Sequence, residues 1–243
     1  MKKVFGFTFN ICLSLFIFGL LFASCIRKKQ EFGKLSTKEI KTESFKDIEI
    51  HDNISVKIIP GNTTKVVLKG KEKLVKETEV KVKDDVLILS NVSDKFNNKR
   101  EIDLGRHDGY DYFIEAIITI PTLRKIKQVG NSSIDINKPI TGDNVDFNIF
   151  GNSSIDITGL TAKKLTMKLE GNASIDLSKL TINDLNMNIM GNSSADIDFA
   201  LGNNVNVDVL GNCSVTLKGV TRNKPIYTMR GMGSIDDQTT RAK

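Results

Sequence analysis

From residue 45 onward, apolar and polar side chains alternate in short runs. Ile48 and Ile50 open the series, followed by Ile54/Val56/Ile58, Val66/Leu68, Val80/Val82 and Val86/Ile88. Further on come Ile155/Ile157, Leu165/Met167/Leu169, Ile175/Leu177 and Leu185/Met187/Ile189. A period of two places alternate residues on opposite faces of an extended chain, which is the signature of half-buried strands. No 3.6-residue spacing competes with it. Turn-forming groups separate the runs at His51-Asp52-Asn53, Pro60-Gly61-Asn62, Lys83-Asp84-Asp85 and Thr158-Gly159. The pattern predicts an all-β protein.

From Gly130 the alternation becomes periodic. One seven-residue phrase recurs six times, starting at Gly130, Gly151, Gly171, Gly191, Gly211 and Gly231, with spacings of 21, 20, 20, 20 and 20 residues. It reads Gly-Asn-Ser-Ser-Ile-Asp-Ile at its first two occurrences. Each period holds two short strands and two turns, too little chain for a crossover helix. Equivalent strands of successive copies are therefore expected to stack in parallel. The resulting expectation is a single-stranded parallel β-solenoid, a right-handed β-helix, with coils of about 20 residues.

Stacking would turn each place in the phrase into a column. Ile134, Ile155, Ile175, Val215 and Ile235 form one core column, with a gap at Ala195 that Phe199 is placed to fill in part. Ile136, Ile157, Leu177, Ile197 and Leu217 form a second. Three polar columns accompany them: Asn131, Asn152, Asn172, Asn192 and Asn212; Ser133, Ser154, Ser174 and Ser194; and Asp135, Asp156, Asp176 and Asp196. The asparagine amides can hydrogen-bond along the stack. Glycine supplies the turn, and the other polar residues serve as turn or solvent-face residues. Carboxylates stacked about 5 Å apart repel unless solvent and lysines screen them. Otherwise a calcium ion would sit at Asp156 and Asp176, although one column offers few of the six to eight oxygens calcium takes.

The N-terminus changes the picture of where the chain resides. Lys2 and Lys3 precede an apolar run from Val4 to Ala23, and Ala23-Ser24-Cys25 closes it. This is a secretory signal, residues 1–24. Its end resembles the bacterial lipobox, which implies lipidation of Cys25, although Phe22 stands where leucine is usual. Residues 25–44 are basic and poor in apolar residues, and read as a tether between lipid and domain. With Cys12 removed and Cys25 lipidated, Cys213 stands alone and no internal disulfide is expected.

The expected head domain is residues 45–236. It divides into divergent coils or a cap at 45–129 and regular repeats at 130–236, with a tail at 237–243. A cap is required because an open strand edge invites aggregation. Residues 91–111 break the alternation and gather Asp103, Arg106, His107, Asp108 and Asp111 with two tyrosines. No spacing there matches a metal-ligand or catalytic motif, and no cofactor is implied. The net charge of +6 is unevenly distributed: residues 130–220 hold ten acids and six bases, so the remainder is basic. Aromatic residues are too few and too scattered for a nucleic-acid surface.

The repeated Gly-Asn-Ser-Ser-Ile-Asp-Ile phrase behind a lipoprotein signal resembles the putative auto-transporter adhesin family with a head GIN domain, common among Bacteroidetes envelope proteins. Phe45-Lys-Asp-Ile-Glu-Ile, Ile54-Ser-Val-Lys-Ile-Ile-Pro-Gly, Val86-Leu-Ile-Leu and Ile118-Thr-Ile-Pro-Thr-Leu fit as well. The resemblance implies a lipid-anchored protein of the cell envelope, at the outer membrane, and carries over no residue-level site. The expected role is a non-enzymatic, adhesin-like surface for glycan or protein, engaging a repetitive partner through many weak contacts. A carbohydrate-active enzyme on the same scaffold is the alternative, and a structural or lipid-handling envelope component is a third.

Overall fold

The computed structural model describes residues 33–91 and 114–243. The signal at 1–24, Cys25 and all but the first residue of the 91–111 segment lie outside the described residues. Among the described residues the secondary structure is thirteen strands and one short helix. They run β1 (Leu35–Ile40), β2 (Asp47–His51), β3 (Ile54–Pro60), β4 (Lys65–Lys71), α1 (Glu72–Glu77), β5 (Thr78–Lys83), β6 (Val86–Asn91) and β7 (Ile114–Ile120). Then follow β8 (Lys125–Ile136), β9 (Ile140–Thr158), β10 (Leu160–Thr221), β11 (Ile226–Arg230), β12 (Gly233–Asp237) and β13 (Thr240–Arg241).

The expectation of an all-β protein holds, but that of an all-parallel, single-stranded solenoid does not. All thirteen strands belong to one sheet of mixed sense that curls into a nearly closed, barrel-like body. Three pairs are antiparallel: β1 with β4, β4 with β7, and β5 with β6. One cause is local. Asp84 and Asp85 both adopt positive φ, 52° and 62°. That is the two-residue hairpin geometry whose twist suits antiparallel neighbours. Alternation in the sequence marks the buried face of each strand without specifying the sense in which it pairs. Two boundaries also shift. The span read as a tether contains β1, paired residue for residue with β4, and the span read as a tail contains β13, paired with β10.

The remaining pairs are parallel. β2 lies between β6 and β8, and β3 between β7 and β8. β8 pairs with β9 at an offset of 21 residues, and β9 with β10 at an offset of 20. Cross-strand ion pairs tie β2 to its neighbour: Arg124 grips both Asp47 oxygens at 2.6 and 2.8 Å, and Lys127 donates to Glu49 at 2.8 Å. The Lys127 hydrogen bond holds the Glu49 carboxyl below the usual glutamate range.

Inward-pointing Ile, Val, Leu and Met make one continuous core from Phe45 to Leu217. Ile134, Ile155 and Ile175 superpose in register, as do Ile136, Ile157 and Leu177. Each is 3% exposed or less, and Ala195, in the next layer, is 2% exposed. Full burial of such a side chain contributes about 1.5–3 kcal/mol, so the columns dominate the stability of the stack.

Glycine is demanded at the corner of every layer. Gly151 and Gly191 have φ of +124° and +131°, a region L-residues scarcely enter. A methyl group on either would overlap the carbonyl oxygen of the glycine one layer before, Gly130 or Gly171. Gly191→Ala is expected to lower unfolding free energy by about 2 kcal/mol or more, read from denaturant midpoints; a variant melting with the parent would refute this account of the corner.

The core columns yield a second expectation. Ala195 stands in the repeat where Ile175 and Val215 are the equivalent residues, and Ala195 and Phe199 are both buried. Ala195→Val should be neutral or stabilising by up to about 1.5 kcal/mol, whereas Ile175→Ala should cost about 2–5 kcal/mol. Thermal unfolding of the two variants tests this, and a marked loss in Ala195→Val would mean that the layer is already full.

Candidate functional site

Register creates the site. Along the repeated phrase, Asn131 faces Asn152 and Asn152 faces Asn172; Ser133, Ser154 and Ser174 align likewise, as do Asp135, Asp156 and Asp176. Because alternate residues share a face, the first, third and fifth residues after the glycine all point outward. Asn, Ser and Asp thus form three adjacent columns on one face, with layers about 4.8 Å apart. Asn152, Asn172 and Asn192 line a shallow, open groove there, together with Ser174, Ser194 and Asn212.

The asparagines are linked in series. Asn152 donates from Nδ2 to Asn131 Oδ1 at 2.7 Å, Asn172 to Asn152 at 2.8 Å and Asn192 to Asn172 at 3.2 Å. A primary amide has two N–H donors and two acceptor lone pairs. A ladder of this kind consumes one donor and one lone pair per inner member, leaving one of each for solvent or ligand. Chained amides also polarise one another, which fixes their orientation.

The aspartate column is bracketed by lysines. Lys57 Nζ lies 3.5 Å from Asp135, and Lys218 Nζ lies 3.5 Å from Asp196. Between them, the Asp156 carboxyl is raised above the ordinary aspartate range, first by partial burial and then by the like charges of Asp176 and Asp135. Among the described residues, no group of three or more His, Cys, Asp or Glu is placed to hold a metal ion.

At Gly151, Gly171, Gly191 and Gly211 the second residue after the glycine is buried or half-buried. Ser153 is buried and accepts from Gln128 Nε2 at 2.8 Å. Ser193 Oγ accepts from the Ala173 amide at 3.1 Å. Cys213 is buried, with Sγ 3.4 Å from the Gly191 carbonyl, matching its reading as a small packed residue. The cluster around His107 lies outside the described residues.

A second polar ladder escaped the reading of the sequence. Asn203 donates to Asn183 at 3.1 Å, Asn204 to Asp184 at 2.7 Å and Asn206 to Asn186 at 3.1 Å; Asn223 donates to Asn204 at 2.7 Å. The signal was present as polar residues 20 apart, Asn183/Asn203 and Asn186/Asn206. No repeated glycine drew attention to it.

An all-β body with an in-register polar face defines this as a protein with an ordered, open surface. The family follows from comparison: the chain belongs to the family described as putative auto-transporter adhesin, head GIN domain, whose model matches residues 44–236. A putative adhesin from Bacteroides fragilis is similar at 27% identity and a TM-score of 0.53, over 84% of this chain and 97% of that one. A putative adhesin from Parabacteroides merdae is 18% identical, with a TM-score of 0.41, over 84% and 96%. A putative lipid binding protein from Parabacteroides distasonis is 14% identical, with a TM-score of 0.37, over 86% and 97%. Among curated proteins, none matches.

The aspartate column has a pH signature. Because the folded-state pKa of Asp156 is raised, the folded protein binds more protons than the unfolded chain between the ordinary aspartate range and the raised value. Asp156 therefore opposes folding at neutral pH, and that opposition fades as pH falls through the raised pKa. Asp156→Asn is expected to be more stable than the parent at pH 7, with the advantage shrinking towards pH 4. Thermal unfolding across that range, at fixed ionic strength, measures it. A less stable variant at pH 7 would show that favourable contacts hold the carboxylate.

Proposed function

We propose that the protein is a lipid-anchored component of the cell envelope, at the outer membrane, whose Asn/Ser/Asp face is a non-enzymatic binding surface. A glycan with a short, regular repeat is the ligand class that suits it best. The observation that carries this reading is the asparagine ladder: each inner amide retains a donor and an acceptor, presented at the regular interval between layers. A repetitive polymer can meet such a surface at several layers at once, so individually weak hydrogen bonds sum to useful avidity. Membership of a family of putative adhesins and similarity to a putative adhesin of Bacteroides fragilis support a surface-binding role. Attachment through Cys25 would keep the surface at the membrane without a spanning segment.

Two experiments test the reading. A screen of envelope glycans against the purified full chain should find saturable binding that weakens at least tenfold in Asn172→Ala/Asn192→Ala and is unchanged in Asn204→Ala. A tenfold loss is about 1.4 kcal/mol, of the size expected for one to two amide hydrogen bonds. Product analysis on the same samples separates binding from turnover: released oligosaccharide would replace this reading with the enzymatic one. For the anchor, Cys25→Ala should abolish lipidation and either release the protein from membranes or leave an unprocessed precursor. Identical mass and detergent partitioning in parent and variant would exclude a lipid on Cys25.

A further inference from the structure

One outward-facing column of the stack is apolar. The residue before each corner glycine is Val129, Phe150, Glu170, Met190, Leu210 and Arg230 in turn. Val129 lies on Phe150, Phe150 on Glu170 and Leu210 on Arg230. Met190 falls between them at the interval kept by the stacked glycines. The residues preceding these, Ile149, Leu169, Ile189 and Val209, are buried, so the column itself faces outward. Val129 is 40% exposed and Leu210 49%, while Phe150 and Met190 are half-buried. The columns on either side are polar. Two residues later comes the asparagine ladder, and two residues earlier come Lys127, Asn148, Lys168, Asn188 and Asp208.

Width decides what can cover this strip. One side chain across, it cannot approach the roughly 800 Å² per partner of a stable protein interface. An acyl chain laid along it would run over the carboxylate of Glu170. A sugar ring is apolar on its flat C–H face and polar at its rim, which matches a narrow apolar strip with amides alongside. The ladder is at most about 7 Å away along the strand, within reach of ring hydroxyls. Between Met190 and Leu210, ringed by Lys168, Asn188, Asp208 and Arg230, lies a depression of about 220 Å³. Pockets for whole small molecules hold roughly 300–1,000 Å³, so this one suits a single ring of a longer chain. Lys168 Nζ stands 5.7 Å over the Phe150 ring, whose face is therefore turned to the outer surface.

Layer spacing and charge narrow the class. The column advances about 4.8 Å per layer. A β-1,4-linked chain of sugars with equatorial hydroxyls is an extended ribbon that advances by a similar step per ring, whereas an α-1,4-linked chain coils away. Beyond the ladder stand Asp135, Asp156, Asp176 and Asp196, of which Lys57 and Lys218 approach the two end members. An acidic polymer would be repelled there.

Resting on the reading of the ladder as a glycan-binding face, we infer that its ligand is an uncharged, β-1,4-linked sugar chain with equatorial hydroxyls. The rings seat their C–H faces on Met190 and Leu210, burying apolar surface. Their hydroxyls meet the free donors and acceptors of the ladder.

The probes are cellohexaose and the corresponding hexamer of N-acetylglucosamine, titrated calorimetrically into the purified full chain. At least one is expected to bind saturably. Maltohexaose, which differs in linkage, and a β-1,4-linked glucuronate hexamer, which differs in charge, are expected not to bind. Kd should rise at least tenfold in Met190→Asn/Leu210→Asn. It should not change in Leu35→Asn, an exposed apolar position on β1. Unfolding midpoints equal to the parent's confirm that the variants fold, and Leu210→Asn alone serves if the double variant melts early. The chain contains no tryptophan, so Leu210→Trp should report binding by a blue shift of its emission. The inference is overturned if neither β-1,4-linked neutral hexamer binds, or if maltohexaose or the glucuronate hexamer binds as tightly. It is equally overturned if the folded column variants keep the parent's Kd or the Leu210→Trp emission does not move. Binding lost in Asn172→Ala/Asn192→Ala but kept in the column variants would remove the column and leave the ladder reading standing. Another glycan bound through the ladder, with both neutral hexamers silent, would do the same. The reverse pattern, loss in the column variants alone, would retain the column and remove the ladder from the site.

Discussion

The approach of one glycine backbone to another, layer upon layer, is the constraint on which the rest of this structure depends. At Gly130, Gly151, Gly171, Gly191, Gly211 and Gly231 the chain takes a positive φ between +124° and +136°. From Gly151 onward, each corner sits so close to the carbonyl of the one before that no side chain fits between them. Any other residue there would lift one layer off the next. The spacing on which parallel hydrogen bonding relies would then be lost for residues on both sides of the corner. The repeat is therefore a steric necessity before it is anything else.

Once the corners are locked, register follows, and register generates chemistry that no single layer possesses. One asparagine on a strand is a solvent-facing amide, whereas Asn131 to Asn192 in line form an oriented hydrogen-bonded ladder. One aspartate is likewise unremarkable. Stacked with Asp135 and Asp176 and partly desolvated by its neighbours, Asp156 becomes harder to ionise. Lys57 and Lys218, both outside the six-fold phrase, approach the ends of that column and offset its charge. The polar face and the apolar core are thus two products of one alternation, held in place by the same corners.

The two ends of the sheet are finished differently. At one end the antiparallel pairs of β1, β4 and β7 and of β5 and β6, with α1 beside them, surround the first parallel layers with lysine-bearing edges. At the other, β11 to β13 leave Ile226, Tyr227 and Met232 in solvent.

Much of this was legible in the residues. The two-residue alternation identified the strands and most of their buried faces, although in β6 it is Leu87 and Leu89, not Val86 and Ile88, that are buried; the 20-residue period put Ile134, Ile155 and Ile175 in one column and Asn131, Asn152 and Asn172 in another. Those are properties of local geometry: a strand's side chains must alternate, and equal spacing must superpose equal residues. The sense of pairing was not legible. Nothing in Leu35–Ile40 distinguishes a tether from a strand until Val66–Lys71 lies antiparallel beside it. The pattern of Val80, Val82, Val86 and Ile88 is the same whether the Asp84-Asp85 turn returns the chain or carries it onward. The second ladder, Asn183 to Asn206, was hidden because asparagine and aspartate at a turn are ordinary residues until another layer lies against them. The sequence by itself determined which side chains point inward and which residues recur. Only the tertiary structure decided which strands meet, in what sense, and which polar groups end within hydrogen-bonding distance, because those outcomes depend on chain segments far apart in sequence closing on one another.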